Sequence, residues 1–126
     1  MTTQEANITI NRTEFVAELY QSVDARSIER LSTFLADNVN FQFANAPSLQ
    51  GKAAVLDVNA TFFKSIASMS HRIDNVWGQG DDIICNGPVT YTRLDGSHFA
   101  VPFATVLTLQ RDQIVNYLIY VDVSEL

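Results

Sequence analysis

The chain has a single cysteine, so no internal disulfide can form; Cys85 stands inside a strand-like run, where a buried, inert thiol in a reducing compartment is expected. Basic residues are also few, with eight Lys plus Arg against fourteen Asp plus Glu and a net charge of −6. They gather into no stripe that could neutralise phosphates, which argues against a nucleic-acid partner. No apolar run approaches the ~20 residues needed to span a bilayer. Met1–Asn11 carries neither the basic nor the apolar region of a secretory leader, so a soluble, cytoplasmic protein is the expectation. Three prolines, five glycines and no repeat or low-complexity tract leave no linker at which to divide the chain. One domain over residues 1–126, with its core at about 11–124, follows from that length and from a hydrophobic content of 47%.

What is present divides into a helical front and a β-rich back. Asn11 and Thr13 are N-cap candidates for Phe15, Val16, Leu19, Tyr20 and Val23 at helical spacing, which predicts a helix over 13–24. Ser27 caps a second, short run of Ile28, Leu31, Phe34 and Leu35 that stops at Asp37-Asn38. Val39 to Phe43 alternates as a strand, and Gly51 opens a third helix carrying Val55, Val58, Phe62, Phe63 and Ile66 and ending near Ser68. Beyond Met69 the period is two. Strands are predicted over 70–78, 83–93, 97–109 and 113–123, joined by turns at Gln79–Asp82, Asp95-Gly96 and Arg111-Asp112. The fold class is α+β: three helices and a four-stranded antiparallel meander, with an extra strand between the second and third helices.

This order of elements, with Leu35-Ala-Asp-Asn-Val before the first strand, Gly51 at the third helix and Ile119-Tyr-Val-Asp122 at the end, resembles the SnoaL-like, polyketide cyclase-like family. That family lies within the nuclear transport factor 2-like, ketosteroid isomerase-like superfamily. The resemblance implies a cone-like curved antiparallel sheet wrapped around three N-terminal helices, and activities that include cyclases, isomerases, dehydratases and epoxide hydrolases. It also lets each catalytic pattern be carried over. The isomerase base falls on Phe43 and its oxyanion-hole groups on Leu19 and Ala104; the cyclase acid falls on Ile119. The epoxide hydrolase Arg-x-Asp pair is matched by Arg93-Leu-Asp95, but its partners fall on Ile119, Phe41 and Phe43, and Gly96 makes Asp95 part of a turn. Where the family carries acids, this chain carries hydrocarbon.

The pocket is therefore expected to be apolar and to take a small hydrophobic or aromatic ligand, lined by Phe15, Leu19, Phe41, Phe43, Phe62, Trp77, Tyr91, Ala104, Tyr117 and Ile119. The groups left for acid–base work are His71, His98, Tyr91 and Arg93, with Tyr20 and Tyr117 adding hydroxyls. No metal-ligand spacing, phosphate-cradling loop or Ser-His-Asp set is present, and no metal or cofactor is expected. Strand alternation assigns Phe99, Val101, Phe103, Leu107, Leu118 and Tyr120 to the outer sheet face, and that second apolar face predicts a homodimer. Three functions stay open: a small-molecule binding domain, an enzyme with a relocated His, Tyr or Arg, and a dimeric interaction protein.

Overall fold

A computed structural model describes residues 10–126; the reading of Met1–Asn11 lies largely outside them. Their elements run α1 (Arg12–Asp24), α2 (Ile28–Ser32), β1 (Leu35–Phe43), β2 (Leu49–Gln50), α3 (Lys52–Lys64), β3 (Ser68–His71), β4 (Asn75–Gln79), β5 (Asp82–Thr92), β6 (His98–Gln110) and β7 (Gln113–Val121). The α1 N-cap is Asn11, whose Oδ1 accepts from the Glu14 amide at 3.0 Å. α1 stops where Arg26 turns left-handed at φ 54°, which lets the Ser27 amide reach back to the Ser22 carbonyl. Ser27 then caps α2 through the Arg30 amide.

The strands form one seven-stranded sheet in the order β2-β1-β7-β6-β5-β3, with β4 also paired to β5. It curves around the helices, as an α+β cone requires. The sheet is mixed where an antiparallel one was expected, because β1 runs parallel to β7. Strand β1 also begins earlier than the expected Val39. Leu35 pairs with Ile114 and is fully buried, and a register shift between Leu35 and Asn40 erases the alternation that would have betrayed a strand there.

The single strand expected over 70–78 is two strands. β3 pairs with residues 89–92 of β5 and β4 with residues 82–86, leaving Arg72–Asp74 between them. Pro88 has no N–H to give the ladder at that point, and only its carbonyl serves, accepting from Arg72. The break shifts the phase of everything after it: His71 and Val76 face inward, Trp77 outward. Cross-strand register fixes both faces. The row Phe41, Tyr117, Leu107 and Ile83 is buried inside, and the row Phe43, Ile119, Thr105 and Cys85 also faces inward, with Phe43 and Ile119 half-buried. The row Leu118, Val106, Ile84 and Trp77 lies outside, and so does Tyr120, Ala104 and Asn86. Phe99, Val101, Phe103 and Leu107, expected on the outer face, thus belong to the inner face, Phe103 and Leu107 being 4% and 0% exposed.

Candidate functional site

Between the inner face of the sheet and helices α1 and α3 lies a cavity of about 270 Å³. Tyr20 and Val23 reach it from α1, Val58, Asn59, Phe62 and Phe63 from α3, and Phe41 and Phe43 from β1. Met69 and His71 of β3, Tyr91 of β5, Phe103 of β6 and Tyr117 and Ile119 of β7 complete its walls, with Ala46, Pro47 and Leu49 at the β1–β2 connection. Aromatic edges hold the lining in place: Phe41 meets Tyr117 at 5.3 Å and Phe62 meets Tyr91 at 5.9 Å, both edge-to-face.

One charged contact reaches this apolar wall. His71 Nδ1 lies 2.6 Å from Asp24 Oδ1, and the His71 backbone amide donates to Asp24 Oδ2 at 2.9 Å. Both carboxylate oxygens are thereby spent on one residue. A carboxylate can only accept, so it places the imidazole proton on Nδ1 and leaves Nε2 as the acceptor. Nε2 makes no hydrogen bond to any described residue. The ring is held on both sides, its centroid 4.5 Å from that of Tyr20 and 4.9 Å from that of Phe103. Tyr20 and Asp24 stand four residues apart and so share one face of α1.

The tyrosines supply neutral donors. Tyr20 OH bonds the buried Thr105 hydroxyl. Burial pushes all three tyrosine hydroxyls up, Tyr91 to about 12, so each stays protonated at neutral pH. Tyr91 OH, unlike Tyr20 OH, has no hydrogen-bond partner among the described residues. His71 Nε2 and Tyr91 OH are thus the two uncommitted polar groups on adjacent strands of the inner face. Cys85, behind Thr105, is fully buried and pushed up to about 11 by desolvation, which keeps the thiol inert.

Of the residues singled out from sequence, the cavity brings together Tyr20, Phe41, Phe43, Phe62, His71, Tyr91, Tyr117 and Ile119. It leaves out six. Phe15 packs edge-on against Phe34 and Leu19 is sealed in the core, one position off the cavity-facing Tyr20. Ala104 lies on the outer face beside Tyr120, and Trp77, 52% exposed, lies outside with Ile84. His98 is exposed and bonded to the Thr92 hydroxyl. Arg93 clamps the chain end, donating to the carbonyls of Glu125 and Leu126, and packs over Phe99. Asp95 accepts from the Ser97 amide and hydroxyl, so Arg93-Leu-Asp95 builds a turn.

Sequence reading missed Asp24. A local signal existed: it is an acid in the last turn of α1, at the negative end of the helix dipole and with no base beside it. Among the described residues, no group of three or more His, Cys, Asp or Glu could hold a metal, and no helix is long and apolar enough to cross a membrane.

Comparison with known proteins bears on this arrangement. The SnoaL-like domain family matches residues 16–117. An NTF2-like protein of unknown function from Burkholderia pseudomallei K96243 superposes with a TM-score of 0.82 at 19% identity, over 93% of this chain and 95% of that one. A protein with a ketosteroid isomerase-like fold from Catenulispora acidiphila DSM 44928, in complex with trimethylamine, gives 0.80 at 19% identity, over 88% and 87%. An LEH-like epoxide hydrolase of M. tuberculosis gives 0.77 at 10% identity, over 89% and 83%. No curated protein matches the chain by sequence.

Proposed function

Because this chain belongs to the SnoaL-like domain family, we propose that it binds a small hydrophobic or aromatic molecule and moves a proton on it with His71 as general base and acid. The observation that carries this reading is His71, held by Asp24 at 2.6 Å, in the wall of a mostly apolar cavity. The family's own acid positions, as carried over from sequence, are Phe43 and Ile119, and both line that cavity. The acid–base role therefore passes to β3.

The reaction class that fits is proton transfer next to a carbonyl, the step shared by isomerisations, aldol-type cyclisations and many dehydrations. Nε2 of His71 takes a proton from the carbon beside the carbonyl, and the electron pair moves to the carbonyl oxygen. Tyr91 OH donates a hydrogen bond to that oxyanion, and the imidazolium, balanced by Asp24, returns the proton to carbon or oxygen. No redox partner is needed. The test uses 2-tetralone, a neutral, enolisable two-ring ketone, in D2O, with loss of the α-proton signal followed by NMR. Exchange well above the buffer rate, lost on replacing His71, is the expected result; exchange at the buffer rate with the intact protein overturns the reading.

A homodimer through the outer sheet face is part of the same proposal, with Leu118 and Tyr120 as expected but Trp77, Ile84 and Val106 in place of the other residues. Trp77, Ile84 and Tyr120 are 52%, 40% and 57% exposed there, beside Val106 and Leu118. That much unsatisfied aromatic surface calls for a cover. Sedimentation at micromolar concentration is expected to give twice the 14.0 kDa chain mass, and Trp77→Arg to give the monomer. A monomeric parent protein refutes it. A reducing, cytoplasmic setting accords with the one buried thiol.

A further inference from the structure

The cavity has an electrical character as well as a shape. None of the chain's eight Lys and Arg residues lines it. Those nearby in the fold are committed elsewhere: Arg26 to the carbonyls of Phe63 and Ile66 at the end of α3, Arg72 to Asp74, and Arg93 to the chain end. Among the described residues of the wall, His71 is the only side chain that could carry a positive charge. Its charge would already be matched by Asp24 at 2.6 Å, so the pair adds no net positive potential to the site.

We infer that the site selects uncharged ligands and rejects carboxylates and phosphates of the same shape, because an anion entering it would lose its water, feel the Asp24 carboxylate that stands behind His71 and find no uncompensated cation. This rests on the proposed ligand site and narrows its substrate class to neutral ketones, esters, amides and phenols.

The tyrosines report the same environment independently. Tyr91 is pushed up first by burial and then by the Asp24 carboxylate, and Tyr117 first by burial, with Cys85 and then Asp24 adding to it, so both hydroxyls on the cavity wall resist becoming anions. A carboxylate ligand would be subject to the same penalties from burial and from Asp24. The polar groups that remain, Nε2 of His71 and Tyr91 OH, suit a neutral oxygen: one accepts a hydrogen bond and the other donates one. Asn59, on the α3 side, donates its amide to the Val55 carbonyl, and the rest of the wall is mostly hydrocarbon and ring edge.

The experiment compares isosteric probes that differ in charge, 2-naphthamide against 2-naphthoate, and benzamide against benzoate, by calorimetry at pH 7.5. The amide of each pair is expected to bind about 100-fold more tightly than its carboxylate, a discrimination set by burying an unpaired charge. In Asp24→Asn, which keeps the side-chain shape and removes the charge, the gap is expected to narrow to about 10-fold as part of that penalty disappears. Carboxylates that bind as well as the amides to the parent protein overturn the inference while leaving the ligand site standing. If no member of either pair binds, the cavity reading itself falls, and the inference with it. Should Asp24→Asn fail to fold, the two probe pairs on the parent protein decide the matter alone.

Discussion

In His71→Gln, proton exchange on 2-tetralone is expected to fall by about 10³-fold, in the middle of the range contributed by a positioned general base. Glutamine keeps a planar, hydrogen-bonding end near the imidazole position but has no atom that can take a proton at neutral pH. Asp24→Asn is expected to give a loss of about 10²-fold by a different route. The amide that replaces the carboxylate can present its NH₂ to Nδ1, which then becomes the acceptor and moves the ring proton to Nε2, the wrong nitrogen for a base. Asp24 is thus a positioning residue, and the two variants are told apart by more than rate. In Asp24→Asn, kcat should fall with KM nearly unchanged, and the ¹⁵N NMR signature of the imidazole should switch tautomer. A purely structural role would move melting temperature and leave the tautomer alone. Equal activity in all three proteins would remove His71 from the chemistry.

Tyr91 adds a milder check on the same geometry. Its hydroxyl, held protonated to about pH 12 by burial, is the uncommitted donor beside His71. Removing that donor is expected to cost less than removing the base, because the Tyr117 hydroxyl remains on the same cavity wall. The order His71, then Asp24, then Tyr91 in loss of rate is what this arrangement dictates.

How much of this was legible in the sequence depended on the distance over which each feature is encoded. The hairpins of the last third are local: Asp95-Gly96 and Arg111-Asp112 lie within a few residues of the strands they join, and those strands were readable. Strand phase was not. β6 carries apolar residues on both faces, so alternation alone could not tell whether Phe103 or Ala104 faced the cavity, and the gapless count chose Ala104. Trp77 was misassigned for a related reason, because the break at Arg72–Asp74 resets the phase between His71 and Trp77. On α1 the count was off by one residue, naming Leu19 where Tyr20 faces the cavity. The Asp24–His71 pair was out of reach for a stronger reason. Its members are 47 residues apart in sequence and meet only because α1 packs against β3. The inverted end of α1 was the one local trace of it.

Gly87→Ala is expected to be the most destabilising single-methyl change in the protein, lowering the melting temperature by about 10–15 °C, or roughly 3 kcal/mol, at the upper end of the overpacking range. A Cβ at Gly87 would stand 1.8 Å from the Arg72 carbonyl oxygen and 2.9 Å from its carbon, both backbone atoms that cannot rotate away. Gly87 has an ordinary backbone conformation, so the requirement is for space alone. That space is where the β3–β4 edge crosses over β5: the Arg72 amide bonds the Pro88 carbonyl at 3.0 Å and the Asp74 amide bonds the Asn86 carbonyl at 2.8 Å, on either side of the glycine. The chain could relieve the clash only by lifting Arg72, and His71 precedes it. Relief would therefore draw His71 off Asp24, and the variant should lose exchange activity beyond what its stability at the assay temperature accounts for. Thermal unfolding followed by circular dichroism, with exchange measured well below the transition, separates the two effects. A melting temperature within about 3 °C of the parent, less than 1 kcal/mol for a domain of this size, would show that the crossing is looser than the packing around Gly87 requires.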